Sequence, residues 1–176
     1  MTRHELSIGL ARSSEAVEIA RLSRDLIEQG LRWSWTPTRV AASVQRADAL
    51  VAVARVAARI AGFGIMRYGD DEAHLDLLGV APPHRGEGLG RRLVEWLEKP
   101  ALLAAISAVF LEVRESNPGA QAFYERLGYR KVGTLAGYYQ ERESAIRMGR
   151  ELGCVDRSRA VIRPSLVTGR ITLMRE

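Results

Sequence analysis

Apolar and polar residues alternate in short blocks, some with the two-residue period of strands and others with the period of about 3.6 residues of helices. In chain order the blocks predict the arrangement βααβββαβαββ. Pro100 lies inside the third predicted helix and is expected to kink or split it. The strands are predicted at 6–11, 49–57, 60–69, 72–81, 108–115, 129–140 and 143–152. The helices are predicted at 15–30, 36–47, 89–106 and 117–128.

Several of these helices carry recognisable end signals. Ser13 or Ser14 is positioned to cap the first helix, which is predicted to end at Gly30. Thr36, followed by a proline, is predicted to cap the second helix. Asn117, also followed by a proline, is predicted to cap the fourth. The element order therefore rests on local chemistry as well as on periodicity.

The composition is that of one ordinary globular domain. The chain has 176 residues, of which 47% are hydrophobic and 27% charged. We predict a single domain over residues 1–152 and a C-terminal extension of unassigned role over 153–176. The single cysteine, Cys154, leaves no partner for an internal disulfide, and the longest apolar run, 49–54, is too short to cross a bilayer. A cytoplasmic location with no membrane partner is the expectation.

The net charge of +5 raises the question of a polyanionic partner. The basic residues are spread along the chain, and no run of five or six like charges marks a nucleic-acid-binding arm. A solvated basic surface therefore explains the charge better than a nucleic-acid footprint. An RNA-associated protein would need its arginines gathered on one face.

A glycine-rich segment between the fourth strand and the third helix carries the strongest chemical signal. It contains Gly86, Gly88 and Gly90, with Arg85 and Arg91 beside them. Glycine lets a ligand approach the backbone, and the free N–H groups at the start of a helix bind anions. The segment predicts a cradle for a diphosphate. The alternative is a plain tight turn between strand and helix.

Two linked blocks resemble the GCN5-related N-acetyltransferase superfamily. Arg85, Gly88 and Gly90 match its signature [Q/R]-x-x-G-x-[G/A], and residues 111–133 look like its following strand and helix. This second block is most similar to the ribosomal-protein alanine N-acetyltransferases. The resemblance covers roughly residues 5–151, and the chain departs from that branch at Asp76, at Gly79 and after Leu152.

The resemblance implies an α/β (α+β) fold with a mixed, mostly antiparallel central sheet flanked by helices. It also implies acetyl-coenzyme A as co-substrate. A bulge is expected near Gly79, where it would separate the strand from its neighbour and free the N–H of Val80 for the thioester oxygen. The residues implied in cofactor binding are Leu78, Gly79, Val80, Arg85, Gly86, Glu87, Gly88, Leu89, Gly90, Arg91 and Asn117.

Acetyl transfer to an amine needs a base for the ammonium and an acid for the departing thiolate. By resemblance Glu112 is the base; the alternative is an ion pair with Arg114, two residues along the strand. Tyr124 matches the acid, and its alternative is packing beside Phe123 on the helix. Asp76 is the reserve base, with a surface aspartate as the alternative.

Aromatic residues are placed by the resemblance on the acceptor side of the cleft. Trp35 and Tyr139 are predicted to contact the acceptor, together with Asp76, although aromatic residues also pack well without a substrate role. The histidines His4, His74 and His84 show no metal-ligand spacing, and no metal is expected.

The favoured function is an acetyl-CoA-dependent N-acetyltransferase acting on a primary amine. The acceptor is a protein N-terminus or a small molecule. The alternative is a non-catalytic acyl-CoA-binding or regulatory domain that keeps the cradle and has lost turnover. The sequence leaves the acceptor open, and a homodimer is neither required nor excluded.

Overall fold

A seven-stranded mixed sheet forms the centre of the computed structural model, which describes residues 6–153. Four α-helices flank the sheet within this range, and the predicted order βααβββαβαββ is confirmed. The predicted extension from 153 onwards lies, apart from its first residue, outside the described residues. The elements are β1 Leu6–Leu10, α1 Ala16–Leu26, α2 Pro37–Gln45, β2 Ala49–Val56, β3 Arg59–Tyr68, β4 Glu72–Val80, α3 Leu89–Leu103, β5 Ala108–Arg114, α4 Pro118–Arg126, β6 Arg130–Tyr139 and β7 Glu143–Glu151.

The strands lie in the order β1-β2-β3-β4-β5-β7-β6. Every neighbouring pair in this sheet is antiparallel except β4 and β5, which run parallel. The mixed, mostly antiparallel sheet expected from the sequence is therefore confirmed. The parallel pair lies at the centre of the sheet, and its third paired position, His74 with Phe110, is its last.

Two hydrophobic clusters cover the two faces of the sheet. One contains α3 residues such as Leu93 and Leu97, packed with Leu111 of β5. The other contains Ile19 of α1 and Val40 of α2. Each helix turns its apolar stripe toward the sheet, because burying that stripe is the main favourable contribution to folding.

Two of the predicted helix caps are confirmed. The Thr36 hydroxyl accepts the N–H of Arg39 at 3.4 Å at the start of α2. The Asn117 side chain accepts the N–H of Ala120 at 3.0 Å at the start of α4. Both caps satisfy backbone donors that the first helical turn leaves free.

The predicted ends of α1 are wrong. Ser13 and Ser14 belong to a short 3₁₀ turn that precedes the helix, and no side chain caps α1. Glu15 instead accepts the N–H of Arg12 at 2.6 Å. The helix ends at Leu26 and not at Gly30, which adopts a φ of +76° in the following loop.

The third helix ends earlier than predicted and is not split by its internal proline. It runs through Pro100 to Leu103. Ala105 then takes a left-handed φ of +56°, and the N–H of Ile106 bonds to the carbonyl of Ala101 at 2.9 Å. These are the features of a Schellman closure, with alanine where glycine is usual.

No helix within residues 6–153 has the length and apolar character needed to cross a membrane.

Candidate active site

The site begins where β4 leaves β5. Backbone pairing between the two strands covers Glu72–His74 and stops there. On the other side of β4, Ile65 of β3 pairs with Leu77 and Met66 pairs with Leu75, so Asp76 is an extra residue in the ladder. Asp76 therefore forms a β-bulge, and a bulge bends a strand away from its neighbour.

The bulge also exchanges the two faces of β4. Before it, Ala73 and Leu75 pack in the cluster with α3; directly after it, Leu77 packs in the cluster with α1 and α2. Leu78 and Val80 then return to the α3 side. An insertion of one residue shifts the alternation of the strand by one position, which is why Leu75 and Leu77 lie on opposite faces and Leu78 lies on the same face as Leu75.

The bulge expected near Gly79 is therefore wrong in position. Gly79 pairs regularly with Phe63, and a Cβ at Gly79 would lie 2.6 Å from the Phe63 ring. Glycine is needed there to make room for an aromatic ring. The strands do separate, and the N–H of Ala81 bonds to Ala61 on β3. By alternation the N–H of Val80 faces the opened gap.

The glycine loop lies at the wide end of this gap. Gly86 and Gly88 take left-handed φ values of +79° and +77°, and no atom comes within 4 Å of a Cβ built on either. Gly88 is the N-cap of α3, so the first N–H groups of the helix follow directly. Both glycines are therefore required by backbone conformation, and the space above them is open.

Other residues of the loop have structural partners. A Cβ at Gly90 would lie 3.2 Å from Phe123 of α4, so this glycine allows close helix packing. Leu89 is buried in the core, whereas Glu87 is exposed. Arg85 donates to the carbonyl of Val80 at 2.9 Å, and the exposed Arg91 pairs with Glu95 one helical turn on.

A row of charged side chains crosses the sheet at the bulge. Arg67 of β3 donates two hydrogen bonds to Asp76, at 2.5 and 2.6 Å. His74 Nδ1 lies 2.8 Å from Asp76 Oδ1, and His74 Nε2 lies 2.6 Å from Glu112 Oε2. The side chains of Asp76 and Glu112 are only 9% and 7% exposed. Asp76 is therefore not a surface aspartate.

Two further groups surround the Glu112 carboxylate. Arg147, its cross-strand neighbour on β7, places Nε 3.7 Å from Oε1. The hydroxyl of Tyr138 lies 3.5 Å from Oε2. The alternative ion pair with Arg114 is wrong, because Arg114 pairs with Glu143 on β7.

Protonation in the row follows from these contacts. Burial lowers the pKa of His74, but its hydrogen bonds to Asp76 and Glu112 outweigh burial and raise the pKa to about 9. Burial raises the pKa of Asp76, and the hydrogen bonds from Arg67 and His74 reverse this and hold it below the usual value. Burial and the two nearby carboxylates raise the pKa of Tyr138 to about 12.

Tyr124 of α4 lines the same cleft and is also part of the core. Its ring makes edge contacts with Phe123 and Tyr129, at centroid distances of 5.0 and 5.6 Å. Its hydroxyl has no hydrogen-bond partner among residues 6–153. Burial raises the pKa of Tyr124, so the phenol keeps its proton. The predicted alternative, packing beside Phe123, is therefore correct for the ring of Tyr124, but it does not account for the hydroxyl group.

The loop between α1 and α2, which lines the cleft, is built around Glu28, a residue that sequence reasoning missed. This buried carboxylate accepts hydrogen bonds from the backbone N–H groups of Ser34 and Trp35 and from the hydroxyls of Ser23 and Ser34. It fixes the loop between α1 and α2. The sequence gives one indication of this role: Glu28 is an acidic residue in a loop that also contains serine side chains and free backbone N–H groups.

Trp35 is more buried than its predicted contact role suggests. It is 9% exposed, packs in the cluster with α1 and α2, and lies under the Arg39 guanidinium at 4.0 Å. Tyr139 donates to the carbonyl of Glu112 at 3.3 Å. The side chain of Gln140 bonds both backbone groups of Arg32, at 3.0 and 3.1 Å, and so ties the β6–β7 turn to the α1–α2 loop.

One continuous cleft connects these parts. It runs from the glycine loop along the gap between β4 and β5 to the β6–β7 turn, and it is lined by Val80, Glu112, Tyr124 and Tyr138 among others. Asn117, at the start of α4, also lines it. The sheet therefore brings an open glycine loop at a helix N-terminus, a free strand edge and several titratable side chains to one place.

Comparisons with known proteins identify the fold and the family. The model of the acetyltransferase (GNAT) family matches residues 19–129, which is more than half of the chain. The chain therefore belongs to this family. The crystal structure of the ribosomal-protein-S18-alanine N-acetyltransferase from Escherichia coli superimposes with a TM-score of 0.75 at 26% identity, covering 89% of this chain and 100% of that one.

Sequence relatives point to the same branch. The ribosomal protein bS18-alanine N-acetyltransferase of Escherichia coli K12 is 38% identical over 93 residues, which are 51% of this chain and 63% of that protein. The N-alpha-acetyltransferase RimI of Mycobacterium tuberculosis is 36% identical over 91 residues, 49% of this chain and 56% of that protein. The matched region thus spans less than two thirds of these relatives. The resemblance stated from the sequence is confirmed.

The close contact at Gly79 predicts a specific loss of stability. In Gly79→Ala the new methyl group meets the Phe63 ring, and we expect the free energy of unfolding to fall by about 1–3 kcal/mol, as for other overpacked sites. Urea unfolding measures it. Gly133→Ala is the matched control, because nothing lies within 4 Å of its Cβ. Equal stability of the two variants would contradict the explanation given for Gly79.

Proposed function

We propose that this chain is an acetyl-CoA-dependent N-acetyltransferase that transfers the acetyl group directly to a primary amine. The observation that carries the proposal is that Glu112 and Tyr124 line the cleft that also contains the open glycine loop. A buried carboxylate and a protonated phenol can supply the base and the acid for amine acetylation. Membership in the acetyltransferase family supports it.

The residues around the gap fit a coenzyme A diphosphate and pantetheine. The open space above Gly86 and Gly88, next to the positive end of α3, suits a diphosphate. The unpaired edge of β4 at Leu78 and Val80 suits the pantetheine amides. Arg85 holds the end of that edge through the Val80 carbonyl. The cap Asn117 lines the cleft and is proposed to contact the cofactor.

The proton transfers are assigned to two side chains. Glu112 accepts the proton of the acceptor ammonium, and the neutral amine then attacks the activated acetyl carbon that the thioester supplies. The N–H of Val80 stabilises the negative charge that develops on the carbonyl oxygen. Tyr124 donates its proton to the departing sulfur. Asp76, the reserve base, is already bonded to Arg67 and His74, so its role is to orient His74.

We propose a peptide N-terminus as the acceptor. The support is the similarity to two relatives, one named as a ribosomal protein bS18-alanine N-acetyltransferase and the other as an N-alpha-acetyltransferase. The acceptor would enter between the α1–α2 loop and the β6–β7 turn, where Trp33, Tyr138 and Tyr139 line the cleft. A small-molecule amine is the competing acceptor. The non-catalytic alternative has no observation in its favour.

The division of the chain at residue 152 and a cytoplasmic location stay predictions, and the oligomeric state stays open.

The cradle predicts an effect of charge on coenzyme A binding. Gly88→Asp places a carboxylate at the mouth of the loop, and we expect the Kd for coenzyme A to rise at least about tenfold relative to Gly88→Asn. Asparagine and aspartate have the same shape, and both tolerate the left-handed backbone better than other side chains, so the comparison isolates charge. Calorimetry measures both. Equal affinities of the two variants for coenzyme A would contradict the proposal that the diphosphate binds at this loop.

Glu112→Gln tests the base. We expect turnover to fall by about a hundredfold or more while the affinity for coenzyme A stays nearly unchanged, because the amide keeps the shape and cannot take a proton. Thiol release from acetyl-CoA is measured with peptides bearing a free N-terminus, with polyamines and with amino acids. The best acceptor identifies the substrate class. If none of these amines increases thiol release above the rate of acetyl-CoA hydrolysis without an amine, the proposed function is wrong.

Tyr124→Phe tests the acid. The ring contacts are kept and the unpartnered hydroxyl is removed, so stability is expected to change by about 1 kcal/mol or less. Turnover is expected to fall by roughly tenfold to a thousandfold, with little change in the KM for acetyl-CoA. Steady-state kinetics and thermal unfolding are measured on the same samples. A fully active variant that unfolds more easily would assign Tyr124 to the core alone.

A further inference from the structure

His74 lies in the charged row between Asp76 and Glu112, and the proposed reaction gives it no step of its own. It is the last residue of β4 that pairs with β5, and its ring lies between two carboxylates. Nδ1 is 2.8 Å from Asp76, and Nε2 is 2.6 Å from Glu112. Its side chain is 26% exposed, so both contacts are largely shielded from water.

Protonation of both ring nitrogens fits the two contacts, because an ionised carboxylate can only accept hydrogen bonds. A nitrogen lone pair and an ionised carboxylate repel each other, so a contact of 2.6 Å needs a hydrogen between the two atoms. The same holds on the Asp76 side. With both nitrogens protonated the ring is an imidazolium, in agreement with the raised pKa of about 9.

Charged groups on five strands surround this ring and its partner. Arg67 on β3 neutralises Asp76 and leaves it a fixed acceptor for Nδ1. Arg67 is followed outward by Asp48, which pairs with Arg46.

On the far side of the row, Arg147 on β7 and the protonated Tyr138 on β6 approach Glu112 at 3.7 and 3.5 Å. Of the groups around Glu112 that the structure describes, His74 makes the shortest contact with its carboxylate. The state of the ring therefore governs the carboxylate most directly.

We propose that His74 is a positioning residue for the base: Asp76 and Arg67 orient its ring so that Nε2 shares one proton with Glu112, and this pair accepts the acceptor's proton only after releasing the shared one. The proposal deepens the proposed function and rests on it. The arrangement resembles the way in which an aspartate fixes the tautomer of a histidine next to a reacting group.

The proton balance follows directly. The pair first releases its shared proton to water, which leaves a neutral ring with its hydrogen on Nδ1 and an ionised Glu112. The acceptor ammonium then transfers one proton to the Glu112 oxygen, where Nε2 shares it. The amine forms the new C–N bond as the C–S bond breaks. Tyr124 gives its proton to the departing sulfur, which leaves as a thiol, and the second proton of the nitrogen restores the Tyr124 hydroxyl. The only proton released to solvent in each turnover is therefore the one that the pair gives up at the start.

The sign of the pH dependence is fixed by this order of events. Below the pKa of the His74 ring, most molecules hold the shared proton between His74 and Glu112 and cannot accept another. The fraction of molecules that have released this proton rises nearly tenfold for each pH unit up to about pH 9. Above that value the fraction levels off. The rate contributed by the pair therefore increases with pH.

The first test follows the ring itself. The chain has three histidines, so the imidazole resonance that His74→Gln removes identifies His74 by NMR. We expect this resonance to titrate near pH 9 in the full chain. Asp76→Asn and Glu112→Gln should each lower the pKa measured from the His74 resonance by about one pH unit or more, because each removes a neighbouring negative charge. Glu143→Gln, which removes a paired carboxylate on β7 that does not touch the ring, should leave it unchanged.

The second test compares pH profiles. The ratio of kcat/KM between the wild-type chain and His74→Gln is measured with the same acceptor, so that the titration of the acceptor amine cancels. We expect the ratio to rise with pH and to level off near pH 9. The ratio between the wild-type chain and Glu143→Gln should be constant. A purely structural role for His74 would give a constant ratio for His74→Gln as well.

The outcomes separate this inference from the proposed function. An active chain whose His74 titrates near the ordinary value of about 6.5, or whose profile ratio is flat, overturns the inference alone. A raised titration in a chain that acetylates no amine overturns the proposed function, since the NMR test needs no catalysis. If His74→Gln does not fold, Asp76→Asn supplies both the titration and the profile.

Discussion

The structure depends on one interruption: backbone pairing between β4 and β5 stops at His74, and a bulge at Asp76 turns β4 away. Past that point the two strands are joined by side chains, through the contact of His74 with Glu112. The interruption opens the strand edge at Val80 on one side and collects charged groups on the other. A continuous ladder would have satisfied the same backbone groups and left no cleft, because paired strands lie only about 5 Å apart.

Burial of so many charges in one place needs an alternating order. Arg67, Asp76, His74, Glu112 and Arg147 follow one another from β3 to β7 with signs that alternate while the ring is protonated. Each carboxylate then has a cation on both sides, which offsets the cost of removing it from water. When the ring loses its proton the order is broken at its centre. The electrostatic cost of burying Asp76 and Glu112 therefore depends most strongly on whether His74 is protonated.

Local patterns in the sequence were sufficient for the order of helices and strands and for part of the site, whereas the type of sheet followed from the family resemblance. The glycines at 86 and 88 could be assigned because a positive φ before a helix requires glycine, and that requirement is local. The caps at Thr36 and Asn117 were predictable for the same reason. Contacts between strands were not, since the choice of Arg147 over Arg114 as neighbour of Glu112 depends on register across the sheet.

The bulge could have been predicted from the alternation of apolar residues along β4. Along β4 the apolar positions Ala73, Leu75 and Leu77 are followed by Leu78 and Val80, so the two-residue alternation changes phase between Leu77 and Leu78. The extra residue Asp76 shifts the alternation, so that Leu78 and Val80 share the α3 side of the sheet with Leu75, and Leu77 packs on the other side. A bulge re-aims a side chain, and the aspartate that it re-aims meets both Arg67 and His74. The polar residue inside the apolar strand and the broken alternation beside it thus have one cause, which is the separation of β4 from β5.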